Sequence, residues 1–306
     1  MPGFFFDFGF LAFFPIFISS CGFGFIRTRA LIRFLVACKS SVFAMDDFAP
    51  FESPKLLIDG AKTSIVNFRS ACETFIESCN YDMIYSQDPN TKQKIVKLRF
   101  HNRLPALRYA AYGIVNDLRH SLDQAVCDAA VELGRPDSRG VYFPFGKTAK
   151  NLDDETAAKT KKVNADLVTF VRAFNAHYGG DDMLYALSSV AGPSKHQRIL
   201  RMSLDSKGVV FGLGGQATSM TFRGGENQIG INKWNDLRNE LEFCRFAEDT
   251  TGNIDARPVL QVVLGTGEPP LADPAPTALD ALAGKVESIV LGIEAETARI
   301  KRNLGI

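Results

Sequence analysis

The 306-residue sequence has little that marks a disulfide, metal or phosphate site. Of its six cysteines, Cys21 and Cys38 fall near the start, and Cys72, Cys79, Cys127 and Cys244 are scattered without a C-x-x-C pair. A disulfide framework is therefore not expected; the reading is of reduced thiols in a cytosolic core. Cys72 and Cys79 stand seven apart on an expected helix, so they share a face two turns apart, too far for an unstrained bridge. The four histidines, His101, His120, His177 and His196, form no H-x-H, H-E-x-x-H or Cys/His spacing, which removes the zinc patterns. Neither a G-x-S-x-G elbow nor a Walker sequence occurs, so no cofactor and no metal is expected. An excess of one charge is missing too. With 35 Lys+Arg against 34 Asp+Glu, net +1, no global field draws a polyanion or a membrane surface. No DNA-binding motif stands out, and any nucleic-acid contact has to be local.

What is there begins with an unusual leader. From Phe4 to Ile26 the chain is almost wholly apolar, with Asp7 the one charge, and Arg27, Arg29 and Arg33 follow. That length can span a bilayer. The cations come after the apolar run rather than before it, which is the reverse of a secretory signal. By the positive-inside bias it would be an inner-membrane anchor with the remaining chain in the cytoplasm. Yet about half of the 25 phenylalanines fall in the first 44 residues, a bias more like translated upstream DNA than a selected transmembrane helix. Three readings of residues 1–44 follow: a mistaken start ahead of Met45, a membrane anchor, or another targeting role. In each case a non-globular Phe-rich leader precedes a single domain over residues 45–306, cytoplasmic or held at the membrane from the cytoplasmic side.

After Met45 the apolar spacing is mostly helical. Residues 56–79 repeat Leu57, Ala61, Ile65, Phe68, Cys72, Phe75, Ile76 and Cys79 at three and four, a helix packed on one side. Asp88-Pro89-Asn90 marks a turn, and residues 94–100 alternate as a short strand. Pro105 and Gly134 bracket a long helix whose stripe is Leu107, Ala111, Ile114, Val115, Leu118, Leu122, Val126, Ala129 and Leu133. A polar helix is expected over 154–177, a short one capped by Asp181 or Asp182, and a capping box at Ser194-Lys195-His196-Gln197. Helices dominate residues 56–202. From about 207 to 264 the pattern turns to short β-prone runs at 208–213, 217–222, 228–231, 240–246 and 259–264. Residues 265–277 read as a Pro-rich linker. A final helix over 278–304 carries Leu282, Val286, Ile289, Ile293, Ile300 and Leu304, a stripe that needs either the N-terminal helices or a second subunit. The expected fold is α+β: a helical bundle with a small, mainly antiparallel β-sheet and a C-terminal helix.

Two patterns carry candidate chemistry. Gly212-Leu213-Gly214-Gly215-Gln216-Ala217 matches the dinucleotide fingerprint, but a strand-like Thr218-Ser219-Met220-Thr221-Phe222 follows where a helix is needed, so a hairpin turn is expected. The polar face of the long helix is more promising. Asn116, Arg119, His120 and Asp123 lie at i, i+3, i+4 and i+7, which brings an amide, a cation, an imidazole and an acid within mutual reach. An ordinary solvated face gives the same pattern.

The chain resembles a broad set of uncharacterised bacterial proteins, many actinobacterial. The residues that carry the likeness are Leu118, Arg119, Leu122 and Asp123, then Phe143-Pro144-Phe145, then Lys195-His196, with the Pro-rich linker and terminal helix also similar. The family's helix motif in turn resembles HEPN domains, helical bundles in which an Arg and a His, usually from two subunits, form a metal-independent ribonuclease site. That likeness implies Arg119 on the scissile phosphate, Asp123 orienting it, and His120 or His196 as proton carrier, with Asn116 and Lys195 as binding residues. The chain departs from the pattern at the fifth place after Arg119, where Gln124 replaces a proton-carrying His, and at Asn116, where the family often has His. Two functions are therefore expected: a HEPN-like module binding or cleaving RNA, or a non-enzymatic interaction or scaffold protein that forms a homodimer through its long helices. In the second, Arg119 and Asp123 hold the Lys195-His196 segment against the bundle by buried ion pairing.

Overall fold

The chain divides into two units, Met1–Asp47 and Phe48–Ile306. The computed structural model describes residues 48–135, 137–191, 200–211, 220–221, 227–252, 256–265, 271 and 273–306, all within the second. Residues 1–44, the Gly212–Ala217 run and the Lys195-His196 pair thus lie outside the described residues. No helix among the described residues is long and apolar enough to cross a membrane.

Three long helices form the bundle: α1 (Glu52–Glu77), α2 (Pro105–Glu132) and α6 (Ala275–Leu304). Among the described residues three short ones, α3 (Ala149–Lys159), α4 (Ala165–Arg172) and α5 (Asp182–Ala191), join them. The expected stripe of α2 is buried from Leu107 to Ala129, with Leu118, Leu122 and Val126 wholly enclosed. Pro105 opens the helix in its first turn, and Gly134 beyond its end takes a left-handed φ of 89°. The stripe of α6 finds its partner within the chain, since Leu282, Val286, Ile289, Ile293 and Ile300 are buried where α6 packs on α1 and α2. Leu304, expected to continue it, is exposed.

The α1–α6 contact carries a pattern overlooked at the level of sequence. Lys55, Lys62 and Arg69, seven apart on α1, pair with Glu294, Glu287 and Asp280, seven apart on α6. Lys55–Glu294 is 2.7 Å and Lys62–Glu287 2.6 Å. Each pair is half exposed and adds at most about 1 kcal/mol. Together the three rungs hold the antiparallel helices in one register, because a slip by one turn sets every cation beside an uncharged neighbour.

The strand regions fold as antiparallel pairs. A four-stranded sheet has the order β1-β2-β6-β5, from β1 (Tyr81–Gln87), β2 (Lys94–Phe100), β5 (Gln228–Asn235) and β6 (Glu240–Phe246). β3 (Met202–Phe211) pairs with β8 (Ala256–Leu264), and the short β4 (Met220–Thr221) with β7 (Thr251–Gly252). Asn232, at φ 54° in a bulge of β5, joins the first two sheets: its amide accepts from Ser206 N–H (3.1 Å) and donates to Ser206 C=O (2.9 Å). The side chain thereby occupies the place of a ladder residue. The observed class is α+β, with a small antiparallel sheet and a C-terminal helix, as expected.

Four boundaries differ from expectation, each for a local reason. The strand β1 was not foreseen, because it is an edge strand, mostly exposed, whose Asp82, Ser86 and Gln87 blur the alternation. The single polar helix over 154–177 is two. Thr148 caps α3 by accepting from Asn151 N–H (3.2 Å), Lys162 turns left-handed, and Asn164 caps α4 by accepting from Asp166 N–H (2.9 Å). β3 begins at Met202, ahead of the expected β-rich part, and α6 begins at Ala275 inside the expected linker. Asp181 does cap α5, accepting from Leu184 N–H at 3.1 Å.

Candidate functional site

The polar face of α2 is occupied along most of its length by other parts of the chain. One line of residues, Arg119, Asp123 and Cys127, follows i, i+4, i+8 and so runs nearly straight along the helix. Beside it lies the extended segment 141–146. Cys127 Sγ–H donates to Val141 C=O (3.3 Å), Phe143 N–H donates to Asp123 Oδ1 (2.9 Å), and the Arg119 guanidinium sits 5.1 Å from the centre of the Phe145 ring. Side chains on one helix thus satisfy the backbone of a strand-like segment that has no sheet neighbour.

The segment is fixed from its other side by aromatic packing and by a close backbone approach. Phe143 lies 5.0 Å from Phe145 and 6.2 Å from Phe174, and Phe174 lies 5.2 Å from Phe170. Gly146 donates its N–H to Ala176 C=O (3.0 Å), and a Cβ there would stand 2.4 Å from Leu152 N. Only glycine fits at that crossing.

A second line on α2 docks the start of α1. Ser53 Oγ–H donates to Gln124 Oε1 (2.7 Å), and Phe51 N–H donates to Asp128 Oδ2 (2.9 Å). Phe51 itself is left-handed at φ 66° and buried. These bonds explain why α1 begins at Glu52, a turn before its apolar periodicity does. Gln124, the residue that departs from the HEPN pattern, therefore has a tertiary role in this chain.

The candidate residues separate accordingly. Arg119 and Asp123 come together at the 141–146 segment. Asn116 turns back on its own helix, donating to Tyr112 C=O at 2.9 Å. His120 is exposed, one residue and about 100° around the helix from Arg119. The Asp117 carboxyl on the same helix is pushed above its usual range by burial, with His120 acting against that rise. Lys195 and His196 lie outside the described residues. Burial likewise raises the Asp128 carboxyl, partly opposed by the Phe51 N–H, and raises the Cys127 thiol, which makes it a poor nucleophile. Nε and Nη1 of Arg119 are buried and, among the described residues, find no hydrogen-bond partner.

Cys127 was missed as a member of the face because cysteine was weighed only for disulfides and metals. Its i+8 spacing from Arg119 was the available signal. Among the described residues no group of three or more His, Cys, Asp or Glu is placed to hold a metal ion. No protein-family model, curated protein or solved structure matches the chain. The arrangement therefore has to be read from its own geometry: Arg119, Asp123, Phe143 and Phe145, drawn from two short motifs some twenty residues apart, form one packing unit.

Proposed function

We propose that the Phe48–Ile306 unit is a non-catalytic binding module, in which Arg119 and Asp123 serve the fold. The observation that carries this reading is the bond from Phe143 N–H to Asp123, with Arg119 stacked on Phe145, while His120 faces solvent on a different line of the helix. Metal-independent RNA cleavage requires a proton carrier within hydrogen-bond reach of the ribose oxygens while the Arg holds the phosphate. Within one chain Arg119 and His120 diverge from such a point. A homodimer belongs to the same proposal only through a surface other than the α6 stripe, which is buried within the chain. Free Cys72, Cys79, Cys127 and Cys244 support placing the protein in a reducing cytoplasm.

A second reading, the HEPN-like ribonuclease, draws on the two buried Arg119 nitrogens that find no acceptor among the described residues, since such donors favour an oxyanion. Arg119→Ala separates the two. The binding-module reading expects a lowered melting temperature and no RNA cleavage by either protein. A variant that melts like the wild type but abolishes a measurable cleavage places Arg119 in a reaction instead, and His120→Ala then reports whether that imidazole is the proton carrier.

A further inference from the structure

Although the whole chain is near neutral, its cations are not evenly spread. The stretch 135–142 and the stretch 159–163 together hold Arg135, Arg139, Lys159, Lys161 and Lys162 against Asp137 alone. Tertiary structure brings the two stretches side by side. Arg135, just past the end of α2, donates from Nη1 to Lys161 C=O (2.8 Å) and from Nη2 to Arg139 C=O (2.9 Å). Tyr142 N–H donates to Lys159 C=O (3.3 Å), and the Lys159 ammonium lies 5.2 Å from the centre of the Tyr142 ring.

Cations near helix C-termini are favourable in themselves, and that accounts for Lys159 in the last turn of α3. It does not account for the others. Lys161 and Lys162 lie beyond the Thr160 cap, Lys162 in a left-handed conformation, and both are exposed. The Arg139 side chain is 91% exposed, and its partner Asp137 is a neighbour in the same turn, held below the usual carboxylate range first by the Arg139 side chain and then by its N–H. Such an exposed pair leaves most guanidinium donors free for another acceptor. Beside these charges stands Tyr142, half exposed.

From this we infer that the surface formed by Arg135, Arg139, Tyr142, Lys159, Lys161 and Lys162 binds single-stranded nucleic acid, the cations tracking phosphates and the Tyr142 ring stacking on a base. The inference rests on the reading of the unit as a binding module and supplies its partner. A flat exposed ring among cations suits a base. An anionic membrane would select several apolar side chains flanking the charge, and Tyr142 is the one exposed large hydrophobic residue among the described residues of these stretches. Because the field is local, affinity is modest and steeply salt-dependent: five neutralised phosphates give a log–log slope of at most about −3.5.

The test uses the full chain with a labelled, unstructured RNA of about twenty nucleotides, followed by fluorescence anisotropy from low to rising salt. The triple variant R139Q/K161Q/K162Q is expected to bind at least about tenfold more weakly at low salt and to flatten the slope by about 2. Tyr142→Leu is expected to weaken binding about fivefold with the slope unchanged, since it removes a ring and no charge. Melting curves matching the wild type show that the variants are folded. Absence of wild-type binding at low salt, or equal binding by the triple variant, overturns the proposal; so does binding to phosphatidylserine-containing vesicles without binding to RNA. The same RNA incubated with the wild type and with Arg119→Ala and run on a gel reports on the other reading: Arg119-dependent cleavage with patch-dependent binding refutes the non-catalytic module while leaving this surface in place.

Discussion

Asp123→Ala is the sharpest probe of the α2 face. In the folded protein Asp123 Oδ1 accepts the Phe143 N–H at 2.9 Å in a partly buried setting. Truncation removes a hydrogen bond to a charged acceptor, about 1.5 to 3 kcal/mol, and leaves the Phe143 N–H without an acceptor in a segment that has no sheet partner. Any other contact of the carboxylate adds to the loss. For a unit of this size each kcal/mol moves the melting temperature by about 2 to 4 °C, so the expected shift is roughly 3 to 12 °C downward. Asp123→Asn keeps an acceptor oxygen and the side-chain volume, and it should recover more than half of that loss. Thermal melting and urea titration of the three proteins provide the measurement. An Ala variant within a degree of the wild type, or an Asn variant less stable than the Ala one, would show that the carboxylate does not anchor the 141–146 segment.

Three further outcomes follow from the same structure. Burial raises the Asp128 carboxyl, so the folded state binds more protons than the unfolded one above the ordinary aspartate pKa of about 3.9, and stability from this group falls as pH rises through the window up to its raised value. Asp128→Asn, which still accepts from Phe51, should gain stability relative to the wild type across that window and hold the gain at neutral pH, whereas a constant difference at all pH would refute the shift. Gly146→Ala places a Cβ against the Leu152 backbone and should cost about 1 to 3 kcal/mol, while Gly113→Ala, mid-helix in α2 with open space around it, should add up to about 1 kcal/mol; equal melting temperatures for the two would contradict the packing at Gly146. Ending the chain after Pro276 removes Leu282, Val286, Ile289 and Ile293 from the shared core, and a cooperative transition that survives unchanged would show α6 to be dispensable.

Periodicity and end signals made much of the fold legible in advance. The stripe from Leu107 to Ala129 reports the buried side of α2 because a helix packed on one face must repeat apolar residues at three and four, and Pro105 and Gly134 mark its ends by their backbone preferences alone. Signals of equal strength at Thr148 and Asn164 were there to divide the polar helix, and both cap their helices in the structure. β1 was hidden because an exposed edge strand does not need alternating hydrophobicity. The seven-residue spacing of Lys55, Lys62 and Arg69 meets that of Asp280, Glu287 and Glu294 across more than two hundred positions, and nothing local joins them.

The candidate face shows the same division. The sequence by itself placed Asn116, Arg119, His120 and Asp123 on one side of a helix, because the rise and twist of a helix are set by the backbone. What each side chain does was decided by whichever distant segment docks there. The 141–146 segment took Arg119, Asp123 and Cys127; the start of α1 took Gln124 and Asp128; and His120 was left in solvent. A helical period states which residues share a face and is silent about what covers it, since covering is a long-range contact whose free energy depends on partners far along the chain. So the α+β class and the long helices were determined by the sequence pattern, whereas the contacts of Arg119 and the meeting of the 135–142 and 159–163 stretches came only with the tertiary structure.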